Sequence, residues 1–366
     1  MNSKWILTLL IGAACLPSAL HADDHDLNIK FDGDVRYRVQ ADKNESDSVA
    51  RLRNRVRYRL GATSKVNDSA TVYAGLASGG TDPRSTNQTL GSEFQTPGIQ
   101  LDYAYIKHQV KPNLNVLLGK MKNPLVRFND LLWDTDIRPE GVALQYNRML
   151  KGKKWYVNAA YFVLDEEKTA NEPALLVIQE GIEAKIKDID IKTALSVYRT
   201  LYVAGHMFEA ENSTGNLYSG GTNTGATTGL TNEFNTVSIA MKVGKADVAG
   251  LEYVGVFGEV ATNSEMDSSN QAGIVGVAFG DKKVKGKGKW QTKVNYRYIG
   301  KDAFLDITPD SDAYGGDTGV QGTEVAFSYG LSKMSKLGLD IYSMDKIEDA
   351  SSDTELLVQL DYSLKF

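Results

Sequence analysis

Hydrophobic and polar residues alternate along this chain with a period of two, starting at residue 27. Between residues 27 and 41 every odd position is apolar or glycine and every even position is polar or charged. Successive side chains of a β-strand point to opposite faces, so the pattern predicts a strand with one apolar and one polar face. Residues 51–62 repeat it with arginine at alternate positions, and only Asn54 interrupts the apolar face.

The same alternation recurs in about 16 segments, a count that holds to within two because 175–186 and 251–261 alternate poorly. The segment cores are 28–40, 51–63, 70–78, 99–109, 114–122, 141–149, 155–164, 175–186, 189–198, 235–243, 251–261, 271–280, 290–299, 321–331, 337–344 and 354–366. Each is near the ~9–11 residues that a tilted membrane strand requires. The sequence therefore predicts an all-β fold.

The connectors between these segments alternate in length. Every second connector is a short turn, and the others are longer. The longest are 79–98, 123–140, 199–234 and 300–320. Short turns at one end and long loops at the other are typical of up-and-down antiparallel barrels of the outer membrane, with the short turns on the periplasmic side and the long loops extracellular.

The first 22 residues have the features of a targeting segment. Lys4 precedes an apolar run from Trp5 to Leu16, and small residues follow up to Ala22. This order predicts a secretory signal peptide over residues 1–22, leaving 23–366 as a single barrel domain. Cys15 leaves a lipoprotein signal open, although Gly12 stands where such signals usually carry Leu. The apolar run is shorter than the ~20 residues of a membrane-spanning helix, so strands must do any spanning.

The final segment keeps the alternation to its last residue, Phe366. An amphipathic last strand that ends in Phe resembles the assembly signal of bacterial outer-membrane proteins. That resemblance implies that Tyr362, Leu364 and Phe366 are recognised by the barrel-assembly machinery. It also implies that the folded barrel contacts outer-membrane lipid and lipopolysaccharide.

Composition excludes several other classes of protein. The 41 basic and 46 acidic residues give a net charge of -5, which argues against a nucleic-acid partner. A single Cys excludes an intrachain disulfide and a cysteine-rich zinc site.

A soluble antiparallel sheet would show the same alternation, and it is the alternative fold. Tyr and Trp near the segment ends favour the membrane barrel, because aromatic belts lie at both membrane interfaces.

The polar faces of the first two segments are rich in arginine. The predicted basic wall consists of Arg36, Arg38, Arg51, Arg53, Arg55, Arg57 and Arg59. A charge run is usually a solvated face, yet alternate like charges repel and strand formation does not require them. On the wall of a channel they would attract anions and repel cations.

The connector 123–140 carries four carboxylates that could face this wall. They are Asp130, Asp134, Asp136 and Glu140. If the connector folds into the lumen, these groups and the arginines create a transverse field at a constriction. The alternative is an acidic surface loop.

Four segments identify a family resemblance. They are 51–61 (RLRNRVRYRLG), 85–91 (STNQTLG), 119–124 (GKMKNP) and 133–141 (WDTDIRPEG). They resemble the Putative porin family of Gram-negative bacteria, and the rest of the chain matches only in general barrel character. The resemblance implies an outer-membrane diffusion channel. The chain is also similar to trimeric 16-stranded porins, whose third long loop narrows the pore, which implies a homotrimer.

Catalytic, metal and cofactor sites are not expected. His108 and His206 have no evident catalytic partner in sequence, and neither phosphate-binding nor dinucleotide-binding glycine motifs occur. Acidic residues at 302–317 and the lysines of 282–289 are interpreted as solvated loops. The sequence thus predicts a passive porin for small hydrophilic solutes, with anion preference from the arginines. The alternatives are a substrate-selective channel and a structural or adhesive barrel plugged by its own loops.

Overall fold

A computed structural model of the chain describes residues 28–208, 222–347 and 354–366. The predicted signal peptide, 1–22, lies outside the described residues. Within those residues there is no helix long and apolar enough to cross a membrane. The helical structure described is a 3-10 turn at Tyr314–Gly316.

One antiparallel sheet of sixteen long strands and a two-residue strand forms the molecule. The strands are β1 (Ile29–Asn44), β2 (Arg51–Lys65), β3 (Ala70–Ser78), β4 (Gln88–Thr89), β5 (Ile99–Lys111), β6 (Leu114–Lys120), β7 (Glu140–Leu150), β8 (Lys153–Val163), β9 (Ala174–Ile186), β10 (Ile189–Leu201), β11 (Asn235–Val248), β12 (Leu251–Asn263), β13 (Gln271–Gly280), β14 (Trp290–Ile299), β15 (Val320–Gly330), β16 (Ser335–Lys346) and β17 (Glu355–Lys365). Each of the sixteen predicted segments overlaps one long strand, which confirms the all-β barrel.

The sheet closes because β1 pairs with both β2 and β17. At the seam, Gly33 and Phe366 exchange two backbone hydrogen bonds, of 3.0 and 3.1 Å. A Cβ atom at Gly33 would collide with the carbonyl oxygen of Arg59 and with the ring of Phe366. Glycine is therefore required where the last residue packs against β1.

The connectors alternate in length along the chain as predicted, although the turn 281–289 is longer than three of the loops. The turns are 66–69, 112–113, 151–152, 187–188, 249–250, 281–289 and 331–334. The loops at the other end are L1 (45–50), L2 (79–98), L3 (121–139), L4 (164–173), L5 (described at 202–208 and 222–234), L6 (264–270), L7 (300–319) and L8 (described at 347 and 354). The molecule thus has a turn end and a loop end.

The two faces of the sheet reverse the arrangement of a soluble protein. Outward apolar side chains are exposed, for example Val260 (61%) and Val275 (60%), whereas the inward Arg38 (3%) and Gln359 (1%) are buried. Apolar side chains packed between two sheets would have been buried. The exposed apolar surface fits contact with lipid, and the polar face lines the lumen.

Loops L3 and L7 fill part of the lumen. Leu131, Leu132 and Trp133 of L3 and Phe304 of L7 are each at most 4% exposed. The Trp133 ring lies 6.1 Å from the rings of Phe304 and Phe162. This hydrophobic cluster sits inside the barrel, so the free lumen is narrower than sixteen strands alone would leave.

Candidate pore constriction

The predicted basic wall lies on the lumenal face of β1 and β2. Arg36 is directly opposite Arg57 across the strand pair, and Arg38 is opposite Arg55. Like charges placed directly opposite each other destabilise a sheet. The pairing therefore requires carboxylates close to the guanidinium groups.

Two aspartates, one on β1 and one on the adjoining β17, supply carboxylates to four of the arginines. Asp34 of β1 binds Arg57 at 2.7 Å and Arg59 at 2.8 Å. Asp361 of β17 binds Arg38 at 2.7 Å and 2.9 Å, and its Oδ2 is 3.3 Å from Arg36. The wall is thus a network of ion pairs rather than a stripe of free positive charge.

The other lumenal arginines of β2 are Arg53, which has a carboxylate partner, and Arg55, which has neutral partners. The fifth arginine of β2, Arg51, lies apart from them. Arg53 binds Asp42 at 2.7 Å. Arg55 donates to Gln40 Oε1 at 3.0 Å and to Ser85 Oγ at 3.4 Å. Arg51 is exposed at the first position of β2. The lumenal wall thus comprises the six arginines other than Arg51.

Loop L3 brings one of its predicted carboxylates to this wall. Asp136 Oδ1 is 3.1 Å from Arg59 Nη1, and its Oδ2 accepts hydrogen bonds from the Thr86 hydroxyl and backbone amide. Burial raises the pKa of this carboxyl, but the nearby Arg59 and Arg57 guanidinium groups lower it more, so the pKa is below its ordinary value. Asp136 is therefore an ionised partner of the wall.

The remaining L3 carboxylates have other positions. Asp134 accepts the backbone N–H of Ser311 at 2.9 Å and so joins L3 to L7. Burial and repulsion from Asp136 raise the pKa of Asp134 to about 7. Asp130 binds Arg297 of β14 at 2.9 Å rather than the arginines of β1 and β2. Glu140 lies outside the loop, because it is the exposed first residue of β7 and pairs with Lys120.

Loop L7 contributes further carboxylates. The prediction that the acidic residues at 302–317 lie in a solvated loop is wrong, because several of them are buried. Asp302, Asp306 and Asp310 are each at most 7% exposed. Asp312 is 3.3 Å from Arg38 and accepts a hydrogen bond from Gln359 at 2.8 Å. Burial raises the pKa of Asp312, but Arg38, Gln359 and the other arginines lower it more, so the net shift is downward.

A buried arginine that the sequence analysis missed anchors L3 and L7 to the barrel wall. Arg297 of β14 is 2% exposed and contacts Asp310 at 2.8 Å, Asp130 at 2.9 Å and Glu324 at 2.7 Å. Its position on the polar face of β14 is readable from alternation. Its partners are not, since Asp130 is 167 residues away in sequence.

Two cavities meet at this constriction. A cavity of about 750 Å³ lies toward the turn end and includes Arg36, Arg57 and Arg59 in its lining. A second cavity, of about 180 Å³, lies toward the loop end and includes Arg53 and Arg55. Asp312 lines both cavities. Asp312 therefore lies between the two cavities, facing the arginines of the wall.

One group of side chains in the described residues could hold a metal ion. It comprises Asp165, Glu167 and His206 on L4 and L5. His206 Nε2 is 3.1 Å from Asp165, and Nδ1 is 3.5 Å from Glu167, so the histidine has acidic partners that its sequence context did not reveal. The two carboxylates contact opposite ring nitrogens and hold the imidazole between them.

The barrel and its constriction agree with comparisons to known proteins. The profile of a family described as Putative porin matches residues 37–236 and 225–366. The chain belongs to this porin family. It is an outer-membrane β-barrel, and the family and fold are those of a channel. None of the curated proteins compared with the chain matches it.

Several solved porin-like structures share the fold. OprB of Pseudomonas putida, in a high-pH structure, is 12% identical, with 92% of this chain and 94% of that chain covered and a TM-score of 0.60. A triple mutant of the Rhodopseudomonas blastica porin is 10% identical, with 92% and 100% covered and a TM-score of 0.50. OmpT, a Vibrio cholerae outer membrane protein in its trimer form, is 13% identical, with 93% and 99% covered and a TM-score of 0.51. At these identities the similarity concerns the fold alone.

Proposed function

We propose that this porin is a passive diffusion channel for small hydrophilic solutes, which cross between the arginine wall and the carboxylates of L3 and L7. The observation that carries this proposal is the constriction at Asp312, where charged side chains on opposite sides separate two lumenal cavities. Opposed charges orient water and dipolar solutes and disfavour apolar ones.

The arginine wall alone gives only a weak preference for anions. Five of its six lumenal arginines directly contact aspartates, and Arg55 contacts Gln40 and Ser85 instead. The aspartates are Asp34, Asp42, Asp136, Asp312 and Asp361. Six positive charges minus five negative charges leave a net charge of +1. The predicted anion preference therefore remains a proposal, and its expected contribution from this wall is small.

Planar-bilayer recordings on the refolded protein test both parts of the proposal. We expect single-channel conductance from the wild type, and a reversal potential in a salt gradient that moves toward cations in Arg53→Gln/Arg55→Gln/Arg57→Gln. Arg51→Gln, an exposed arginine of the same strand, is the matched control and should leave the reversal potential unchanged. Absence of a shift in the triple variant would remove the selectivity proposal but not the channel.

Zero conductance would instead favour a plugged barrel. The observation behind this second candidate is the hydrophobic packing of L3 and L7 inside the lumen, which includes Trp133 and Phe304. A substrate-selective channel is the third candidate, since the outer cavity of about 180 Å³ admits only small solutes. Flux that saturates with solute concentration would support selectivity, and linear flux would support passive diffusion.

We also propose that three chains form a homotrimer. They would contact each other through the part of the barrel wall where the strands are shortest. Strands β3 and β6 have 9 and 7 residues and are the shortest of the sixteen strands that span the barrel. The exposed side chains of Phe94, on L2, and Leu101, on β5, lie beside them. Light scattering in detergent should give three chains per particle. Phe94→Ser/Leu101→Ser should lower this number, whereas Val260→Ser/Val275→Ser on the opposite wall should not. A monomeric wild type would overturn the proposal.

The predicted assembly signal remains a proposal as well. Tyr362, Leu364 and Phe366 are each at least 38% exposed on the outer surface. This exposure would let the barrel-assembly machinery, and later lipid and lipopolysaccharide, contact them. Deleting Phe366 should reduce the amount of barrel in the outer membrane in cells more than it reduces refolding yield in detergent. Equal losses would point to a purely structural role.

A further inference from the structure

The lysine-rich turn 281–289 continues the pairing of β14 with β15 at the turn end of the barrel, and its residues 283–285 line the lumenal cavity. Gly288 N donates to Gly330 O at 2.9 Å, and Gly330 N donates to Lys289 O at 2.7 Å. A Cβ at Gly330 would collide with the carbonyl oxygen of Gly286, so the two backbones pack in direct contact. The turn is thereby fixed against the end of β15.

Ion pairs hold both ends of this turn. Lys282 binds Asp190 of β10, and Lys289 binds Asp281 at 2.7 Å and Glu252 of β12 at 2.5 Å. Between these anchors, Lys283 and Lys285 line the cavity of about 750 Å³ that also includes the underside of the arginine wall. The turn therefore carries two lysines to the periplasmic entrance of the lumen.

Four further lysines from other elements line the same cavity. The complete set, which we call the lysine collar, is Lys283, Lys285, Lys293, Lys333, Lys336 and Lys365. Across the described part of the chain, no side-chain hydrogen bond or ion pair involves any of these six ammonium groups. The collar therefore differs from the arginine wall, whose charges are largely matched.

The carboxylates in the cavity do not neutralise the collar. Asp34, Asp312 and Asp361 are held by arginines of the wall, and Asp130, Asp310 and Glu324 by Arg297. Asp340 is the remaining acidic group in the lining; it lies in the same cross-strand row as Lys293 and four residues after Lys336. Arg297 carries one positive charge against three carboxylates, so two negative charges remain there. Six lysines minus Asp340 and these two charges leave three uncompensated positive charges.

We propose that the lysine collar is a binding site for small anions that carry two or more negative charges, such as inorganic phosphate, pyrophosphate or phosphate esters. The ammonium groups come from two turns and three strands around one cavity, so a multiply charged anion can contact several of them at once. Lysine binds phosphate as a point charge and does not need a fixed bidentate geometry. This proposal deepens the proposed channel function, because it gives the pore a substrate class and a periplasmic affinity site.

Pyrophosphate added to the periplasmic side of a bilayer tests the proposal at constant ionic strength. We expect it to reduce the chloride current, and the block to weaken as salt is raised, because salt screens exposed charges. The variant Lys283→Gln/Lys285→Gln/Lys336→Gln should raise the half-blocking concentration by roughly three- to a hundredfold, which corresponds to three exposed ion pairs. Lys285→Gln alone should have a smaller effect and keeps the test usable if the triple variant does not fold.

The matched control removes three positive charges elsewhere on the same end of the barrel. Lys111, Lys153 and Lys287 are exposed and do not line the cavity, so Lys111→Gln/Lys153→Gln/Lys287→Gln should change the half-blocking concentration by less than about twofold. Equal shifts in the two triple variants, or a conducting wild type that pyrophosphate does not block, would overturn the collar. If the wild type does not conduct, the channel proposal fails, and calorimetric titration of pyrophosphate into the refolded barrel decides the collar independently, with absence of binding overturning it.

Discussion

Replacing Arg297 should release L3 and L7 from the barrel wall. Its guanidinium group lies within 2.9 Å of three carboxylates, and the side chain is 2% exposed, so solvent screens these contacts little. Arg297→Gln leaves the buried Asp310 and Glu324 and the half-buried Asp130 without this cation. Removing one partner of a buried ion pair typically costs about 3–5 kcal/mol. We expect a loss of this size in the free energy that holds the loops in the lumen.

The fluorescence of Trp133 reports this release, because the residue is 4% exposed inside the barrel on L3. In a background of Trp155→Phe and Trp290→Phe, Trp133 is the one tryptophan that remains in the described residues. Arg297→Gln should shift its emission to longer wavelength and increase open-channel current noise. The shift should be smaller at pH 5 than at pH 8, since the buried Asp310, once it has lost its cation, can bind a proton in acid.

Arg148→Gln is the control for this experiment, since Arg148 is exposed on β7 and lies outside the network. It should leave the emission of Trp133 and the current noise as in the wild type. If Arg297→Gln also leaves both unchanged, the loops are held by hydrophobic packing alone. The interpretation of Arg297 as their anchor would then be wrong.

Two further predictions concern the L3–L7 contact and the barrel seam. The raised pKa of Asp134, about 7, means that L3–L7 packing is most stable below the ordinary aspartate value of 3.8 and is weakened as the pH rises toward 7. Current noise should accordingly increase from pH 5 to pH 8 in the wild type but not in Asp134→Asn. The same increase in Asp134→Asn as in the wild type would contradict this role of Asp134. Gly33→Val should destabilise the barrel by about 1–3 kcal/mol through collision at the seam, measured as heat resistance of the folded band in electrophoresis. Gly273→Ala, where an added Cβ meets no atom closer than 3.7 Å, should behave as the wild type, and equal effects would refute the steric explanation.

The barrel itself could be predicted from the sequence because the relevant signal is local. The alternation in 27–41 specifies which side chains of β1 face the lumen, and the order of short and long connectors specifies the two ends. The lumenal positions of Arg36, Arg38, Arg53, Arg55, Arg57 and Arg59 follow from that period alone. Even the poorly alternating segments 175–186 and 251–261 are strands, because each is paired on both sides within the closed sheet.

The partners of these side chains could not be predicted in the same way. The contact of Asp134 with Ser311 joins residues 177 positions apart, and no periodic pattern relates L3 to L7. Glu140 is an acidic residue like its neighbours in L3, so the sequence does not distinguish it from them. It nevertheless begins β7, because it pairs with Val163 and Lys120 on the adjacent strands. The lumenal position of Lys283 and Lys285 could not be predicted either, because it depends on how their turn folds against the strands at the cavity.

Cysteine accessibility in a conducting bilayer tests the central claim most directly, since Cys15, the single cysteine of the chain, lies in the predicted signal peptide. Ala326 lines the lumenal cavity, and Leu360 is 53% exposed on the outer surface. With Ala326→Cys, a charged, water-soluble methanethiosulfonate reagent should produce stepwise decreases in single-channel conductance. With Leu360→Cys, the same reagent should leave the conductance unchanged. Decreases with Leu360→Cys and none with Ala326→Cys would contradict a water-filled path inside the barrel.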